Sequence, residues 1–459
     1  MKKYLSILIA LIVLGILAAL ALIYVPFKPT PANEALAADW KAEPGRGEAV
    51  MRAGDCMACH TAKGGEPMAG SRGIESPMGT IWASNITPDK ETGIGSWTMD
   101  QFRAAMVDGI GGHGQQLYPA MPYENYRYMT ESDLRALYDY LQTEVKPVKN
   151  EVAATRLSFP FNMRFGIRAW NWLALSGESQ FSPMAGDEQQ IRGQYLTEGA
   201  GHCAACHSPR TSYMAQDGTR LSDKSFLSGG MVDDWTAPAL RGKDARIQKW
   251  STEEVAAYMA TGRNAHAVAN GEMASVVEHS LQHMSDSDLK AMAVFLKSMD
   301  GQAVEAAPAK IATPGPRSMA PLPADEAGQA TAALLKSASP DMPLGARLYL
   351  DNCAACHFVS GKGSPEIFPE LQANSMVQGK DASPLVAVIL NGTASLVTDR
   401  RPLNLVMQGY ADRLTDSEVA ALASFLRKGW GNQASDVSES QVSKVRKHVQ
   451  AAAAPERAN

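Results

Sequence analysis

All six cysteines of the chain lie in three copies of one short motif, in which two cysteines separated by two residues are followed directly by a histidine. The copies are spaced almost evenly along the 459 residues, and the sequence has no cysteine outside them. The motif residues are Cys56, Cys59 and His60, then Cys203, Cys206 and His207, then Cys353, Cys356 and His357. Such a regular repeat predicts three copies of one structural module.

This motif is the attachment signature of c-type haem. Two thiols one helical turn apart can each form a thioether with a haem vinyl group, and the histidine then ligates the iron. A zinc site is the alternative, but zinc needs four ligands, and these cysteine pairs lie far apart in separate modules. The sequence therefore predicts three covalently bound haem c groups, with His60, His207 and His357 as iron ligands.

Each iron needs a second axial ligand on the side opposite the histidine. In cytochromes c this second ligand is a methionine. The third module, residues 344–432, contains no histidine besides His357, so methionine ligation is expected there. Three methionines stand shortly before the last helical segment of their modules, and they are the predicted ligands: Met121, Met273 and Met407.

Two other methionines compete for this role. Met129 and Met284 directly precede the last helical segment of their modules, at a position where the third copy has Leu414. A position that accepts leucine is expected to be a core position rather than an iron ligand. Four histidines of the first two modules are weaker candidates, for which exposed loop positions are the favoured interpretation: His113, His266, His279 and His283.

Each copy opens with a short helical segment in which a glycine and an arginine lie close together. The opening residues are Arg46-Gly47, Arg192-Gly193 and Gly345 with Arg347. Each copy closes with a longer segment, and these segments cover 129–141, 284–296 and 414–426.

The closing segments share a hydroxyl N-cap and an acid three residues later, which is an arrangement similar to a capping box. The caps and acids are Thr130 with Asp133, Ser285 with Asp288, and Thr415 with Glu418. Apolar residues recur at i, i+3 and i+7 in Leu134, Leu137 and Leu141; Leu289, Met292 and Leu296; and Val419, Leu422 and Leu426. This spacing predicts amphipathic helices with one buried stripe, so the modules are predicted to be mostly helical.

The second ring nitrogen of each motif histidine needs a hydrogen-bond acceptor that fixes the orientation of the ring. A proline-bearing segment follows each motif, and the carbonyls of Pro88, Pro238 and Pro369 are the candidate acceptors. The alternative, that these residues are ordinary loop prolines, stays open.

The N-terminus carries a targeting pattern, because Lys2 and Lys3 precede an uncharged run from Tyr4 to Val25. About 20 apolar residues span a bilayer, whereas the apolar part of a signal peptide usually has about 7–15. The run favours a retained anchor, and the alternative is a signal peptide cleaved near Ala35-Leu36-Ala37. With the lysines on the cytoplasmic side, both interpretations place the body of the chain on the periplasmic side of the cytoplasmic membrane.

These features divide the chain into predicted parts. The Ala- and Pro-rich composition before the third module predicts a semi-rigid linker. The parts are an anchor or signal peptide in 1–30, modules in 40–180, 185–302 and 341–432, the linker in 303–340 and a tail in 433–459. The formal charge of −5 gives no reason to expect a nucleic-acid partner.

With these features the chain resembles the trihaem cytochrome c subunit of bacterial membrane-bound, quinone-reducing dehydrogenases, such as alcohol dehydrogenase and gluconate 2-dehydrogenase. The resemblance is carried by the three motifs and by further segments that extend from residue 44 to residue 432. These segments are NITPDKETGIG (85–95), LYPAMPY (117–123), FPFN with the later Trp170-Asn171 (159–171), TGRNAH (261–266) leading to GEMASVV (271–277), and FLRKGWGN (425–432).

The resemblance implies an all-α fold of three tandem class I cytochrome c domains, in which the matching methionines are the sixth iron ligands. It also implies docking on a flavin- or pyrroloquinoline-quinone-dependent dehydrogenase subunit that oxidises an alcohol, gluconate, an aldehyde or a sugar. This chain is then not the substrate-oxidising subunit, and it relays electrons to ubiquinone or the respiratory chain. The alternative is a free-standing multihaem cytochrome with its own redox activity, as a peroxidase or in thiosulfate oxidation, which needs an iron with an open position.

Overall fold

The computed structural model describes residues 2–24, 28–37, 39–232, 235–301, 311 and 322–453. The chain divides into two compact units, and neither unit is one continuous segment. The first unit comprises Met1–Pro183, Tyr195–Ala205 and Arg210–Arg220. The second unit comprises Met184–Gln194, Cys206–Pro209 and Leu221–Asn459.

Short helices joined by irregular segments are the main element of the described chain. The first helices are α1 (Lys2–Tyr24), α2 (Arg46–Ala53), α3 (Cys56–His60), α4 (Met99–Asp108), α5 (Tyr123–Tyr126), α6 (Glu131–Thr143), α7 (Phe165–Ala174), α8 (Glu188–Glu198) and α9 (Ala204–His207). They are followed by α10 (Thr252–Thr261), α11 (Glu272–His279), α12 (Asp286–Ser298), α13 (Gln329–Ser337), α14 (Leu344–Asn352), α15 (Ala354–His357), α16 (Ser375–Gln378), α17 (Ser383–Asn391), α18 (Asp416–Lys428) and α19 (Glu439–Ala453). Short 3-10 helices cover Arg246–Lys249, Leu281–His283, Glu326–Gly328 and Gly429–Gly431.

The prediction of an all-α fold is wrong. Helices cover less than half of the described residues, and these residues also form three two-stranded antiparallel sheets. The pairs are β1 (Gly73–Ile74) with β2 (Ile81–Trp82), β3 (Gly230–Val232) with β4 (Trp235–Ala237), and β5 (Gly392–Ala394) with β6 (Val406–Gln408). Each strand has two or three residues, which is too short for the alternation of polar and apolar residues that predicts a strand.

The opening and closing helices of each module pack on one another at the predicted glycine. These pairs are α2 with α6, α8 with α12, and α14 with α18. A Cβ atom added to the glycine would lie far inside contact distance of a backbone oxygen in the closing helix: 2.4 Å for Gly47 and Ala136, 1.9 Å for Gly193 and Ala291, and 2.3 Å for Gly345 and Ala421. Glycine is therefore required at these positions for the close approach of the two helices.

The predicted closing helices are confirmed. The apolar stripes of α6, α12 and α18 are buried, and the hydroxyl of each predicted N-cap accepts a hydrogen bond from the backbone N–H of the acid three residues later. In α18 the Glu418 side chain also returns to the backbone of Thr415, which completes the capping box. In the other copies, the acids instead accept hydrogen bonds from arginines of the opening segments, Asp133 from Arg46 Nε at 2.7 Å and Asp288 from Arg192 Nε at 2.8 Å.

Helix α1 covers most of the segment 1–30 that is expected to be an anchor or a signal peptide. Among the residues that the structure describes, no helix is both long enough and apolar enough to cross a membrane. The segment after α1 is tied to the first module, because Asp108 accepts hydrogen bonds from Thr30 and Arg103 donates to the Thr30 carbonyl. Arg103 also forms a buried 2.7 Å ion pair with Glu131.

Parts of the predicted linker and tail pack on the third module. Leu335 of α13 is 1% exposed and Val442 of α19 is fully buried, and both belong to the apolar core that also contains Trp430. The rest of the linker at 303–310 and 312–321, and the end of the tail at 454–459, lie outside the described residues.

Candidate haem-attachment sites

The three motifs coincide with the short helices α3, α9 and α15, of which α3 begins at Cys56, whereas Cys203 and Cys353 directly precede α9 and α15. Because residues three positions apart share one face of a helix, such a turn brings the two thiols of a pair to the same side. In the first two copies, a residue with left-handed backbone stands directly before the first cysteine. These residues are Asp55 at φ 51° and His202 at φ 37°, and they separate the motif turn from the preceding helix.

The Nδ1 atom of each motif histidine is hydrogen-bonded to a backbone carbonyl. The distances are 2.6 Å from His60 to Ser84, 2.7 Å from His207 to Pro238, and 3.1 Å from His357 to Pro369. A carbonyl oxygen only accepts, so the proton lies on Nδ1 and the Nε2 lone pair is left for a metal. This donor arrangement fits the proximal ligand of a haem iron in all three copies.

Two of the three predicted acceptors are confirmed, Pro238 and Pro369, and the prediction of Pro88 is wrong. The His60 ring bonds instead to the carbonyl of Ser84, four residues earlier. The sequence feature that marks the acceptor in all three copies is an apolar residue two positions after it, rather than a proline. The backbone N–H of this apolar residue is anchored in each copy, from Ile86 to Met68 O at 3.0 Å, from Leu240 to Leu227 O at 2.9 Å and from Leu371 to Gly361 O at 2.8 Å.

A glycine after each motif holds the acceptor segment close to the histidine. Its backbone N–H donates to the carbonyl of the motif histidine, from Gly70 at 2.8 Å, from Gly229 at 2.7 Å and from Gly363 at 3.3 Å. All three have positive φ angles, and a Cβ on Gly363 would lie 2.1 Å from the Phe368 oxygen. Glycine is the residue that tolerates both conditions, so it fixes the distance between the histidine and its acceptor.

Burial sets the protonation of the motif side chains. Burial lowers the pKa of His60, His207 and His357, although each carbonyl acceptor partly opposes this effect. The imidazoles are therefore neutral at physiological pH, as iron ligation requires. Burial also raises the pKa of the Cys56 and Cys353 thiols to about 12.

The three predicted methionine ligands lie in different elements but share partial burial. Met121 stands in the turn before α5, Met273 is the second residue of α11, and Met407 lies opposite Thr393 in the β5–β6 pair. All three are partly buried. Their role as distal iron ligands stays a prediction.

The competing candidates lie in other surroundings. Met129 is 2% exposed and Met284 is 8% exposed. Leu414, at the equivalent position of the third copy, is also 8% exposed, so all three side chains are buried as expected for core residues. Of the four histidines expected at exposed loop positions, His113 is exposed in a loop, His283 is exposed at the end of the 3-10 helix Leu281–His283, and His279 is half-buried at the end of α11. His266 is instead held between two glutamates, a contact that the sequence reasoning missed.

Within the described ranges, no group of three or more His, Cys, Asp or Glu side chains is arranged to hold a metal ion.

Comparison with known proteins defines the class of the chain. The family model "Cytochrome c" matches residues 45–144, 191–300 and 343–430, so one match surrounds each motif. The chain therefore belongs to the cytochrome c family, a family of electron carriers, and it binds haem c covalently.

Several curated proteins are similar over nearly the whole chain. The cytochrome c subunit of alcohol dehydrogenase (quinone) from Gluconobacter oxydans (strain 621H) is 37% identical over 434 residues, which cover 94% of this chain and 86% of that protein. The gluconate 2-dehydrogenase cytochrome c subunit of Pantoea cypripedii is 37% identical over 88% of this chain and 89% of its own. The fructose dehydrogenase cytochrome subunit of Gluconobacter japonicus is 34% identical over 92% and 85%.

Proposed function

We propose that this chain is the trihaem electron-transfer subunit of a dehydrogenase complex on the periplasmic side of the cytoplasmic membrane. It receives electrons from a catalytic subunit that contains flavin or pyrroloquinoline quinone, and it delivers them to ubiquinone or the respiratory chain. The substrate oxidised by the partner belongs to the alcohols, aldehydes, sugars or sugar acids.

The observation that carries this proposal is the threefold repetition of one histidine geometry. Three motif histidines each direct Nδ1 to a backbone carbonyl, and each directly follows the second cysteine of its pair. A single haem is enough for a simple carrier, whereas three haems on one chain provide a path for electrons between two distant partners. Bound haem iron supplies one-electron chemistry, and the chain supplies attachment, orientation and burial.

The distal methionines support relay rather than catalysis by this chain. With haem bound, these methionines would hold the iron on the side away from the histidine and would leave no position for a substrate or for peroxide. Met121, Met273 and Met407 are partly buried and lie outside regular core positions, which suits a ligand. The proposal therefore assigns substrate oxidation to the partner subunit.

The partner follows from the similar proteins, whose names describe cytochrome subunits of alcohol, gluconate and fructose dehydrogenases. All three cover most of this chain, so the likeness includes all three modules. The membrane location is supported by the two lysines before the apolar run Tyr4–Val25 and by haem c, which we expect on the exported side.

The count and ligation of the haems provide the test. We expect the purified protein to hold about three covalent haems per chain. Replacement of Met121, Met273 or Met407 by alanine should each abolish one methionine-to-iron charge-transfer signal in ferric spectra and leave the other two. Electron delivery from the purified complex to a ubiquinone analogue should fall in each variant.

Met129→Leu and Met284→Leu are matched controls, because a leucine of similar volume at a core site costs less than about 1.5 kcal/mol. Both variants should retain every low-spin signal. Loss of a signal in Met284→Leu but not in Met273→Ala would reject the ligand assignment in the second module. A preparation with one or two haems per chain, or with peroxide turnover by the isolated protein, would reject the relay.

A further inference from the structure

The hairpin that carries Met407 in the third module is held by residues of the second module. It runs from Gly392 to Gln408, and Thr393 of β5 lies opposite Met407 of β6. A Cβ atom on Gly392 would lie 2.2 Å from the Met407 carbonyl oxygen, so the two strands are in close contact. The hairpin and the second-module residues that contact it, in 262–286, belong to the same compact unit.

Arg263 ties the two arms of this hairpin together. Its Nη2 atom donates hydrogen bonds to the carbonyl of Leu396, at 3.3 Å on the arm after β5, and to that of Leu403, at 2.9 Å on the arm before β6. Hydrogen bonds from a charged donor are stronger than those between neutral groups. Arg263 is 1% exposed, so these bonds are shielded from solvent. One buried nitrogen therefore fixes the distance between the two arms.

A tight turn of the second module holds the backbone of Arg263. Gly262, at φ 72°, ends α10, and its N–H donates to Tyr258 O at 2.8 Å. The carbonyl of Gly262 accepts from the Ala269 N–H at 2.7 Å. The Thr261 hydroxyl donates to the carbonyl of Arg263 at 2.8 Å. The position from which Arg263 reaches the hairpin is therefore fixed within its own module.

The base and the tip of the hairpin are also attached to the second module. At the base, the Thr393 hydroxyl donates to Asn270 Oδ1 at 2.8 Å. At the tip, Arg400 forms a 2.5 Å ion pair with Asp286, the first residue of α12. Because Thr393 pairs with Met407, the contact at the base lies at the position of the predicted ligand itself.

We propose that Arg263 of the second module is a positioning residue that holds Met407 as the distal ligand of the haem attached at Cys353 and Cys356. This inference rests on the proposed relay function and on its assignment of Met407. A methionine thioether is an uncharged ligand, so its bond to iron depends on how firmly the surrounding structure holds it in place. The third module contains its own attachment motif and its own methionine, but the second module holds the hairpin that presents this methionine.

The test measures how easily an added ligand displaces Met407 in the full-length protein. Imidazole binds to the ferric iron in place of the methionine, and the methionine-to-iron charge-transfer signal of that haem is then lost. The three signals are assigned with the alanine variants of Met121, Met273 and Met407. The imidazole concentration that removes the signal of the third haem therefore reports how firmly Met407 is held.

Arg263→Met removes the donor and keeps a long apolar side chain. We expect imidazole to bind at the third haem about tenfold more tightly in this variant than in wild type, because loss of a contact that supports a metal ligand typically costs about tenfold or more. Arg263→Lys keeps a charged nitrogen with several donors. Since one nitrogen makes both bonds in wild type, this variant should stay within about threefold of the wild-type affinity.

Arg241→Met is the matched control. Arg241 also belongs to the second module and also donates to two backbone carbonyls, those of Leu221 at 3.2 Å and Asp223 at 2.9 Å, which lie in its own module. This variant should bind imidazole at the third haem as wild type does. An equal increase in Arg241→Met and Arg263→Met would overturn the role assigned to Arg263.

Thr393→Val keeps the shape of the side chain and removes the hydrogen bond to Asn270. It should tighten imidazole binding at the third haem by about threefold, and it decides the question if Arg263→Met does not fold.

An Arg263→Met protein with three haems and the wild-type imidazole affinity would overturn the positioning role and leave the relay standing. Loss of the second signal instead of the third would overturn it as well. If Met407→Ala keeps all three signals, the ligand assignment of the proposed function is itself wrong.

Discussion

Replacement of Gly193 by alanine is expected to destabilise the protein by about 2–3 kcal/mol, because the new methyl group has no room between α8 and α12. An added Cβ would lie 1.9 Å from the carbonyl oxygen of Ala291 and 2.8 Å from the Cβ of Phe295. Both neighbours belong to a helix and cannot move aside as a flexible side chain would. The gain in helix propensity, about 1 kcal/mol, is smaller than this overpacking. Urea denaturation followed by circular dichroism measures the difference.

Gly166→Ala is the matched control for this experiment. Gly166 also lies in a helix, α7, but nothing lies within 4 Å of a Cβ added there. This variant should be as stable as wild type or more stable by about 0.5–1 kcal/mol. Gly345→Ala should repeat the destabilisation in the third module, since its Cβ would lie 2.3 Å from Ala421 O. Wild-type stability of Gly193→Ala would contradict the close packing of α8 on α12.

The closing helices could be predicted from the sequence because the residues that specify each helix lie close together in the chain. In α18, for example, the cap Thr415, the acid Glu418 and the stripe from Val419 to Leu426 lie within one short segment. Capping and a periodicity of 3.6 residues depend on such neighbours alone. The structure confirms the helix, its cap and its buried stripe.

The sheets and one acceptor could not be predicted in the same way. The β5–β6 pair joins Gly392 to Gln408 across a long loop, and its strands are too short to show a pattern. The Ser84 acceptor was missed because alignment on the prolines put Pro88 in its place. Alignment on Ile86, Leu240 and Leu371 identifies the right carbonyl in each copy, since these apolar residues anchor the segment.

The surroundings of His266 were also beyond sequence reasoning, because they combine residues that are distant in the chain. Its Nε2 lies 3.0 Å from Glu254 Oε1, and its Nδ1 lies 3.2 Å from Glu370 Oε1. Trp250 stacks on the ring, with centroids 6.0 Å apart. Arg246 forms an ion pair with Glu370 as well. Each glutamate also interacts electrostatically with a lysine, Glu370 with Lys362 and Glu254 with Lys297.

This cluster is expected to make the stability of the protein fall at alkaline pH. Hydrogen bonds to Glu254 and then to Glu370 raise the pKa of His266 from 6.5 to about 9, although burial opposes them. A raised pKa in the folded state gives a stabilisation that is complete below the unfolded value and is lost as the pH rises through about 9. Because the His266 side chain is 28% exposed, solvent screening reduces the expected loss to about 1–2 kcal/mol. Urea denaturation curves at about five pH values between pH 6 and pH 10 measure how the free energy of unfolding changes with pH.

His266→Gln should remove this decline, because glutamine stays neutral and Glu370 keeps its ion pair with Arg246. The variant should be less stable than wild type near pH 6 and nearly equal to it above pH about 9. His279→Gln is the matched control, since His279 hydrogen-bonds to Ser275 in its own helix and to no carboxylate among its described contacts. It should keep the wild-type slope. An alkaline decline of equal size in His266→Gln would show that another group titrates, and the charged state assigned to His266 would then be wrong.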